Sequence, residues 1–243
     1  SSSSAASDVY KRQELLYPDH ASWYIAFARN EMAIVFSEKS AYAGLINETN
    51  WPEILLRDDV RFGRSDPDSD PCGYRTLLTW QLAEKYYRMP GLYERLLPKD
   101  TRFIRPKEVD LLALLETNTI DYIFLYRSLA GQHGLQYVIL PDSINLGNPS
   151  LVDYYKKVSI EVSGTAPGER ITLYGEPMVY AATIPTKAPN PGLAETFLQF
   201  LLHPEKGLKM MQELGQPAIY PPITDRPEDI PLSLKSFIEP DFL

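Results

Sequence analysis

The chain has 243 residues, 44% of them hydrophobic and 23% charged, with a formal net charge of −8. That balance supports an ordinary buried core in one large domain or two small lobes. It argues against a nucleic-acid footprint, which needs clustered cations to displace counterions from phosphate, but leaves a small anionic ligand open, because backbone N–H groups can seat an anion on an acidic protein.

The single cysteine, Cys72, rules out an intrachain disulfide and fits either the cytosol or a cell envelope. No apolar run approaches the ~18 residues of a membrane span. Residues 1–13 (SSSSAASDVYKRQ) lack the apolar centre of a signal peptide. They read as a non-native or disordered leader, so the native start, with any export signal, is expected to lie outside the chain.

Residues 21–36 (ASWYIAFARNEMAIVF) hold two β-rich apolar patches around Arg29, Asn30 and Glu31, and predict an extended crossing segment. Residues 51–57 (WPEILLR) predict a short helix with proline in its first turn. A short strand at residues 60–63 runs into a loop, residues 65–75, dense in turn formers and helix N-caps. Over residues 74–88, Leu77, Leu78, Trp80, Leu82, Ala83 and Tyr86 recur at helical spacing. A helix at 109–115 and apolar strands at 120–126 and 137–140 follow, and this alternation predicts an α/β fold with a largely parallel sheet.

Residues 157–162 and 171–174 read as a hairpin around the turn at 163–168, a candidate antiparallel edge strand. Another extended run (PMVYAATI, 177–184) precedes helices at 193–202 and 205–214, the second closed by Gly215. The proline-rich tail is expected to wrap the surface. Crossings near 31–36 and 178–184 flank an α/β block, which predicts one lobe of residues 36–178 and another of 14–35 with 179–243. A ligand is expected in the cleft, with closure by hinge motion.

The loop at 65–75 carries the most chemistry. Short polar residues before Pro71, Cys72 and Gly73 predict unpaired amides at a helix start, where the dipole favours an anion; an ordinary capped helix is the alternative. Gly73 allows close backbone approach. Arg75 adds positive charge, either as a ligand or, more commonly for arginine, as a surface or supporting residue. Asp70 is either the helix cap or a direct ligand to the metal of an oxyanion, since high-valent tungsten and molybdenum favour oxygen. Cys72 at a helix start is a candidate nucleophile, but His20, His133 and His203 supply no motif for a partner base or a metal. No Walker loop, GxGxxG, GxSxG or HExxH occurs.

The stretches FARNE (27–31), DPCGYR (70–75), IDY (120–122), YRS (126–128), QH (132–133), LPD (140–142), INLG (144–147), GEPMVY (175–180) and ELGQP (213–217) occur in one order. Together they resemble the tungstate/molybdate-binding proteins of the WtpA/ModA type. The resemblance implies a type II periplasmic-binding fold, with mixed, mostly parallel sheets and flanking helices. An oxyanion would be sealed between two lobes and passed to the permease of an ABC importer. It further implies a periplasmic or extracellular monomer with no cofactor beyond its tungstate or molybdate ligand, no nucleic-acid partner and no catalytic residue. A ligand-sensing effector domain of a regulator with the same fold is the alternative.

Residue by residue, the resemblance makes Asp70 a possible direct ligand to tungsten or molybdenum and assigns backbone donors to Cys72 and Gly73. Tyr180 matches a cleft tyrosine, either a hydroxyl donor or a packed core residue. The second carboxylate of the tungstate-selective branch falls on Leu125, which retains only its backbone N–H as a donor. Serine-bearing strands of the family precede the start of this chain, so the first lobe is expected to be incomplete and binding weak or absent.

Overall fold

A computed structural model describes residues 16–164 and 166–238; the leader expected at residues 1–13 lies outside the described residues. In chain order the strands are β1 (Ile25–Arg29), β2 (Met32–Phe36), β3 (Phe62–Ser65), β4 (Ile104–Arg105), β5 (Tyr122–Tyr126), β6 (Gln136–Ile139), β7 (Ser159–Ser163), β8 (Arg170–Tyr174), β9 (Val179–Ala182) and β10 (Ala218–Ile223). The helices are α1 (Trp51–Leu55), α2 (Pro71–Tyr87), α3 (Leu92–Leu96), α4 (Asp110–Glu116), α5 (Arg127–Gln132), α6 (Asp142–Asn145), α7 (Val152–Tyr155), α8 (Pro191–Leu202), α9 (Lys209–Glu213) and α10 (Leu232–Ile238). Two compact units result, one running to Asn30 and resuming at Met178, the other Glu31–Pro177. No helix among the described residues is long and apolar enough to cross a membrane.

In the unit Glu31–Pro177, a five-stranded sheet has the order β4-β3-β5-β2-β6. The whole of β2 (MAIVF) and of β5 (YIFLY) is buried. Neither strand alternates with polar residues, because both faces of a central strand are covered. β3 runs parallel to β4 and β5, whereas β2 runs antiparallel to β5 and β6. Parallel pairing is therefore narrower than the strand–helix alternation predicts. A right-handed helical crossover forces a parallel partner; β2, which follows directly from β1, is under no such constraint.

One face of this sheet carries α2. Trp80 of α2 meets Phe124 at 5.4 Å and Phe62 at 5.8 Å between ring centroids, both edge-on, and Trp51 meets Phe124 at 5.8 Å. Such rings favour edge-to-face contact because their faces are negative and their edges positive. The helix starts three residues before the apolar spacing suggests, since Asp70 caps it and Pro71 fits its first position. It ends at Arg88, a left-handed residue with φ 55°. The hairpin β7–β8 forms over five paired positions, but as a separate two-stranded ribbon and not as the expected edge of the larger sheet.

The other unit holds a three-stranded antiparallel sheet, β10-β1-β9. Its core joins Trp23, Ile25 and Phe27 to Leu198 and Leu202 of α8, and to Ile230, Leu234 and Ile238. The proline-rich tail thus does more than wrap the surface: it supplies β10, α10 and part of this core. Pro221 and Pro222 are tolerated because β10 is an edge strand, where a missing N–H faces no partner.

Candidate functional site

Asp70 closes the start of α2. Its Oδ1 accepts the Cys72 N–H at 2.9 Å, and its Oδ2 accepts the Glu108 N–H at 2.7 Å. Its carbonyl accepts the N–H groups of Gly73 at 3.0 Å and Tyr74 at 3.4 Å, and Pro71 has no N–H to offer. The unpaired helix-start amides expected at Cys72 and Gly73 are therefore already bonded, and this corrects that expectation: the capping residue satisfies the donors an anion would need. Asp70 caps the helix.

Gly73 serves packing. A Cβ there would lie 2.6 Å from the Asp66 carbonyl carbon and oxygen and from the Ser65 oxygen, so only glycine lets the helix press against the end of β3. Leu125 is fully buried in β5. Arg127 N–H donates to the Glu31 carbonyl at 2.9 Å, and hydrogen-bonded pairs alternate along an antiparallel ladder. Leu125, paired with Ala33 two positions back, thus directs its N–H at a strand neighbour, which corrects the expectation of a free backbone donor there. Tyr180, in the other unit, has a hydroxyl that accepts from Asn30 Nδ2 at 3.1 Å and from Gln216 Nε2 at 3.2 Å.

The helix start does gather a cation. Arg75 is 5% exposed, donates from Nη1 to the Tyr126 hydroxyl at 2.6 Å and lies 5.2 Å from the Tyr74 ring and 5.8 Å from the Tyr126 ring. Among the described residues no carboxylate forms an ion pair with it. Arg127, by contrast, has its anion: Nη1 meets the buried Glu31 at 2.6 Å. Arg64 is also buried and forms no ion pair among the described residues, but Asp66 lies close enough to act on it, and its guanidinium covers the Trp80 ring at 5.7 Å and donates to the Ser65 carbonyl at 3.3 Å.

Ser65 ends β3 and Tyr126 ends β5, two neighbouring parallel strands. Ligands of α/β sheets collect at such carboxyl ends. Ser65 is fully buried; no nitrogen or oxygen partners its hydroxyl among the described residues, and its neighbour is the Cys72 thiol, on which it acts as a hydrogen-bonding group. Burial pushes the Tyr126 phenol well above its ordinary value despite Arg75 beside it, so it stays a neutral O–H. The Cys72 thiol faces the Phe124 carbonyl at 3.6 Å, and it feels both Ser65 and Arg75. Burial, then Asp70, pushes this thiol well up; a thiolate nucleophile is disfavoured there. The sequence singles out neither Ser65 nor Tyr126; the signal that marks both is a hydroxyl at the last position of an apolar strand. No group of three or more His, Cys, Asp and Glu among the described residues could hold a metal ion.

Glu108 completes the surroundings of Asp70. Burial first, and a hydrogen bond to Asp70 second, raise its carboxyl from 4.5 to about 7. The folded state then binds a proton that the unfolded chain has lost, so stability from this group is full below pH about 4.5 and declines as pH rises to about 7. Urea midpoints at pH 5 and pH 8 are expected to differ more for the native chain than for Glu108→Gln. An equal pH dependence of the two would contradict this linkage.

Mixed sheets with flanking helices, built by a chain that leaves one unit at Asn30 and returns at Met178, define a binding protein of the periplasmic type II fold. Residues 1–210 match the bacterial extracellular solute-binding proteins, and the chain belongs to that family. An uncharacterised solute-binding protein of Petrotoga mobilis is 48% identical over 231 residues, covering 93% of this chain and 71% of its own length. The molybdate/tungstate-binding protein WtpA of Pyrococcus abyssi is 40% identical over 258 aligned residues, covering 97% and 73%. Among solved structures, the substrate-binding domain assigned to a molybdenum ABC transporter of Clostridium difficile matches with a TM-score of 0.56 at 15% identity, covering 86% and 73%. The periplasmic molybdate-binding protein of Azotobacter vinelandii matches at 0.50 and 16%, covering 85% and 74%. At those identities the likeness concerns the fold.

Proposed function

We propose that this protein captures molybdate or tungstate outside the cytoplasm and delivers it, as a monomer, to the permease of an ABC importer. The observation that carries the reading is its similarity to WtpA of Pyrococcus abyssi over 97% of the chain. The regulatory alternative finds no support among these relatives. A reaction is not part of the proposal: Cys72, the one candidate nucleophile, is buried with its thiol pushed up.

Tyr180 is proposed as a hydroxyl donor held in place by Asn30 and Gln216. With Leu125 where a second carboxylate would stand, the bound metal keeps its four oxo ligands, so molybdate and tungstate are expected to bind alike. Calorimetric titration with molybdate, tungstate and sulfate tests the assignment. The two metal oxyanions are expected to bind within about threefold of each other and at least about tenfold tighter than sulfate, a gap of about 1.4 kcal/mol. Sulfate binding as tightly as molybdate would remove the assignment.

A further inference from the structure

We infer that the hairpin β7–β8 is a strap along α2, fastened at Asp68, that sets how readily the loop before this helix opens. The first observation is the outer edge of β7. Gly164 donates to the Glu169 carbonyl at 2.9 Å and Gly175 to the Val158 carbonyl at 3.0 Å, so by alternation the backbone polar groups of Ser159, Glu161 and Ser163 point away from β8. Such an edge is ordinarily open to water or to another strand. Here side chains close it. The Ser159 carbonyl accepts from Gln81 Nε2 at 3.0 Å and the Lys157 carbonyl from Lys85 Nζ at 2.8 Å, both from α2. The Glu161 carbonyl accepts from Arg170 Nη2 at 2.7 Å, and the Ser163 N–H donates to Asp68 Oδ1 at 2.6 Å. The strand therefore runs beside α2 from its last turn, where Lys85 stands, to the loop that precedes it.

The second observation is the fastening. Asp68 Oδ1 also meets Arg170 Nη1 at 3.0 Å, and the same nitrogen donates to Ser163 Oγ at 3.2 Å. One carboxylate thus holds both strands of the hairpin, 95 and 102 residues further along the chain. The Ser163 amide, and after it Arg170, keep this carboxyl below its usual range. The third is a separate grip on the same loop: Asp66 N–H donates to the Arg105 carbonyl at 2.8 Å, Lys107 Nζ to the Ser69 carbonyl at 3.3 Å, and Glu108 N–H to Asp70 Oδ2 at 2.7 Å. A two-stranded ribbon is marginal by itself, and burial secures only part of this one: Val162 is buried, but Ile171 opposite it is 40% exposed. Polar bonds to α2 and to Asp68 hold the rest. Asp68 and Arg170 lie at the surface, where such bonds are weak and local opening is easy. Hairpin and loop are therefore expected to open together while the central sheet stays closed.

The test is amide hydrogen exchange of the full chain, read residue by residue by NMR. Arg170→Met keeps the aliphatic stem and removes every bond of the guanidinium. It is expected to speed exchange at Ser163 and, by about threefold or more, at Ser69 and Asp70, whose N–H groups donate to the Asp66 carbonyl at 3.1 and 2.9 Å. A factor of about three to five is what an exposed charged pair supplies. Asp68→Asn, which keeps the shape and loses the charge, is expected to act on the same amides. Arg57→Met is the control: it breaks another exposed pair of this unit, with Asp59 at 3.2 Å, and is expected to leave the hairpin and the loop unchanged. Amides of β2 are expected to exchange at the native rate throughout. Native rates at Ser69 and Asp70 in Arg170→Met would overturn the inference, because the hairpin would then ride on the loop without holding it. Equal acceleration in β2 would overturn it as well, since the substitution would then loosen the whole unit and not one strap.

Discussion

Gly73→Ala is expected to destabilise the unit Glu31–Pro177 by about 2 kcal/mol or more, although alanine is the better helix former. The added methyl would meet backbone atoms of Ser65 and Asp66 at 2.6 Å. Overpacked side chains usually cost about 1–3 kcal/mol because neighbours can rotate away. A backbone segment cannot rotate, and this one is pinned: the Asp66 N–H donates to the Arg105 carbonyl at 2.8 Å, and the Asp66 carbonyl accepts from Ser69 and Asp70. The gain in helix propensity, about 1 kcal/mol, offsets only part of the strain. Gly131→Ala is the matched control, since it lies in α5 with no atom within 4 Å of its would-be Cβ. It is expected to stabilise by about 0.5–1 kcal/mol. Urea unfolding followed by tryptophan fluorescence reads both, because Trp51 and Trp80 lie buried in this unit. A Gly73→Ala protein as stable as Gly131→Ala would contradict the close helix–strand approach.

How much of this could be read without coordinates depends on whether the deciding partner is local. The run YIFLY has no polar residue to face water, so its burial in the middle of a sheet follows from composition alone. Asp70 before Pro71 announces a helix start for the same local reason. The sequence also shows that four amides at that start lack helical partners, but not that the carboxylate and carbonyl of Asp70 take up those of Cys72 and Gly73, that the Asp66 carbonyl takes up that of Asp70 itself, and that proline removes the fourth. The direction of β2 is hidden because it depends on which strands it joins. The tail is hidden because its prolines look like breakers until β10 is known to lie at a sheet edge. Arg75 looks like a surface arginine, and its burial depends on Tyr126, 51 residues away, and goes with no ion pair among the described residues. An absence of partners is a tertiary fact that no spacing rule encodes.

Leu125→Glu is expected to lower stability by about 3 kcal/mol or more at pH 8 and by much less at pH 5, with tungstate restoring part of the loss. Leu125 is fully buried, on the face of β5 opposite Phe124 and Tyr126. A carboxylate placed there loses its hydration, and an unpaired buried charge costs several kcal/mol unless it is neutralised. Burial therefore raises its folded-state pKa above the unfolded value of about 4.3. The folded protein binds the extra proton, so the penalty grows as pH rises above about 4.3 and is greatest once the group must ionise. High-valent tungsten supplies what that carboxylate lacks, a hard cationic centre to bond. Under the proposed function, the tungstate-induced rise in urea midpoint is then expected to be larger for Leu125→Glu than for the native chain, and larger for tungstate than for molybdate. Leu125→Gln, similar in size and uncharged, is expected to show neither the pH dependence nor the preference. An equal tungstate shift in Leu125→Glu and the native chain would place position 125 outside the coordination sphere. The pH dependence would stand in either case, because it follows from burial alone.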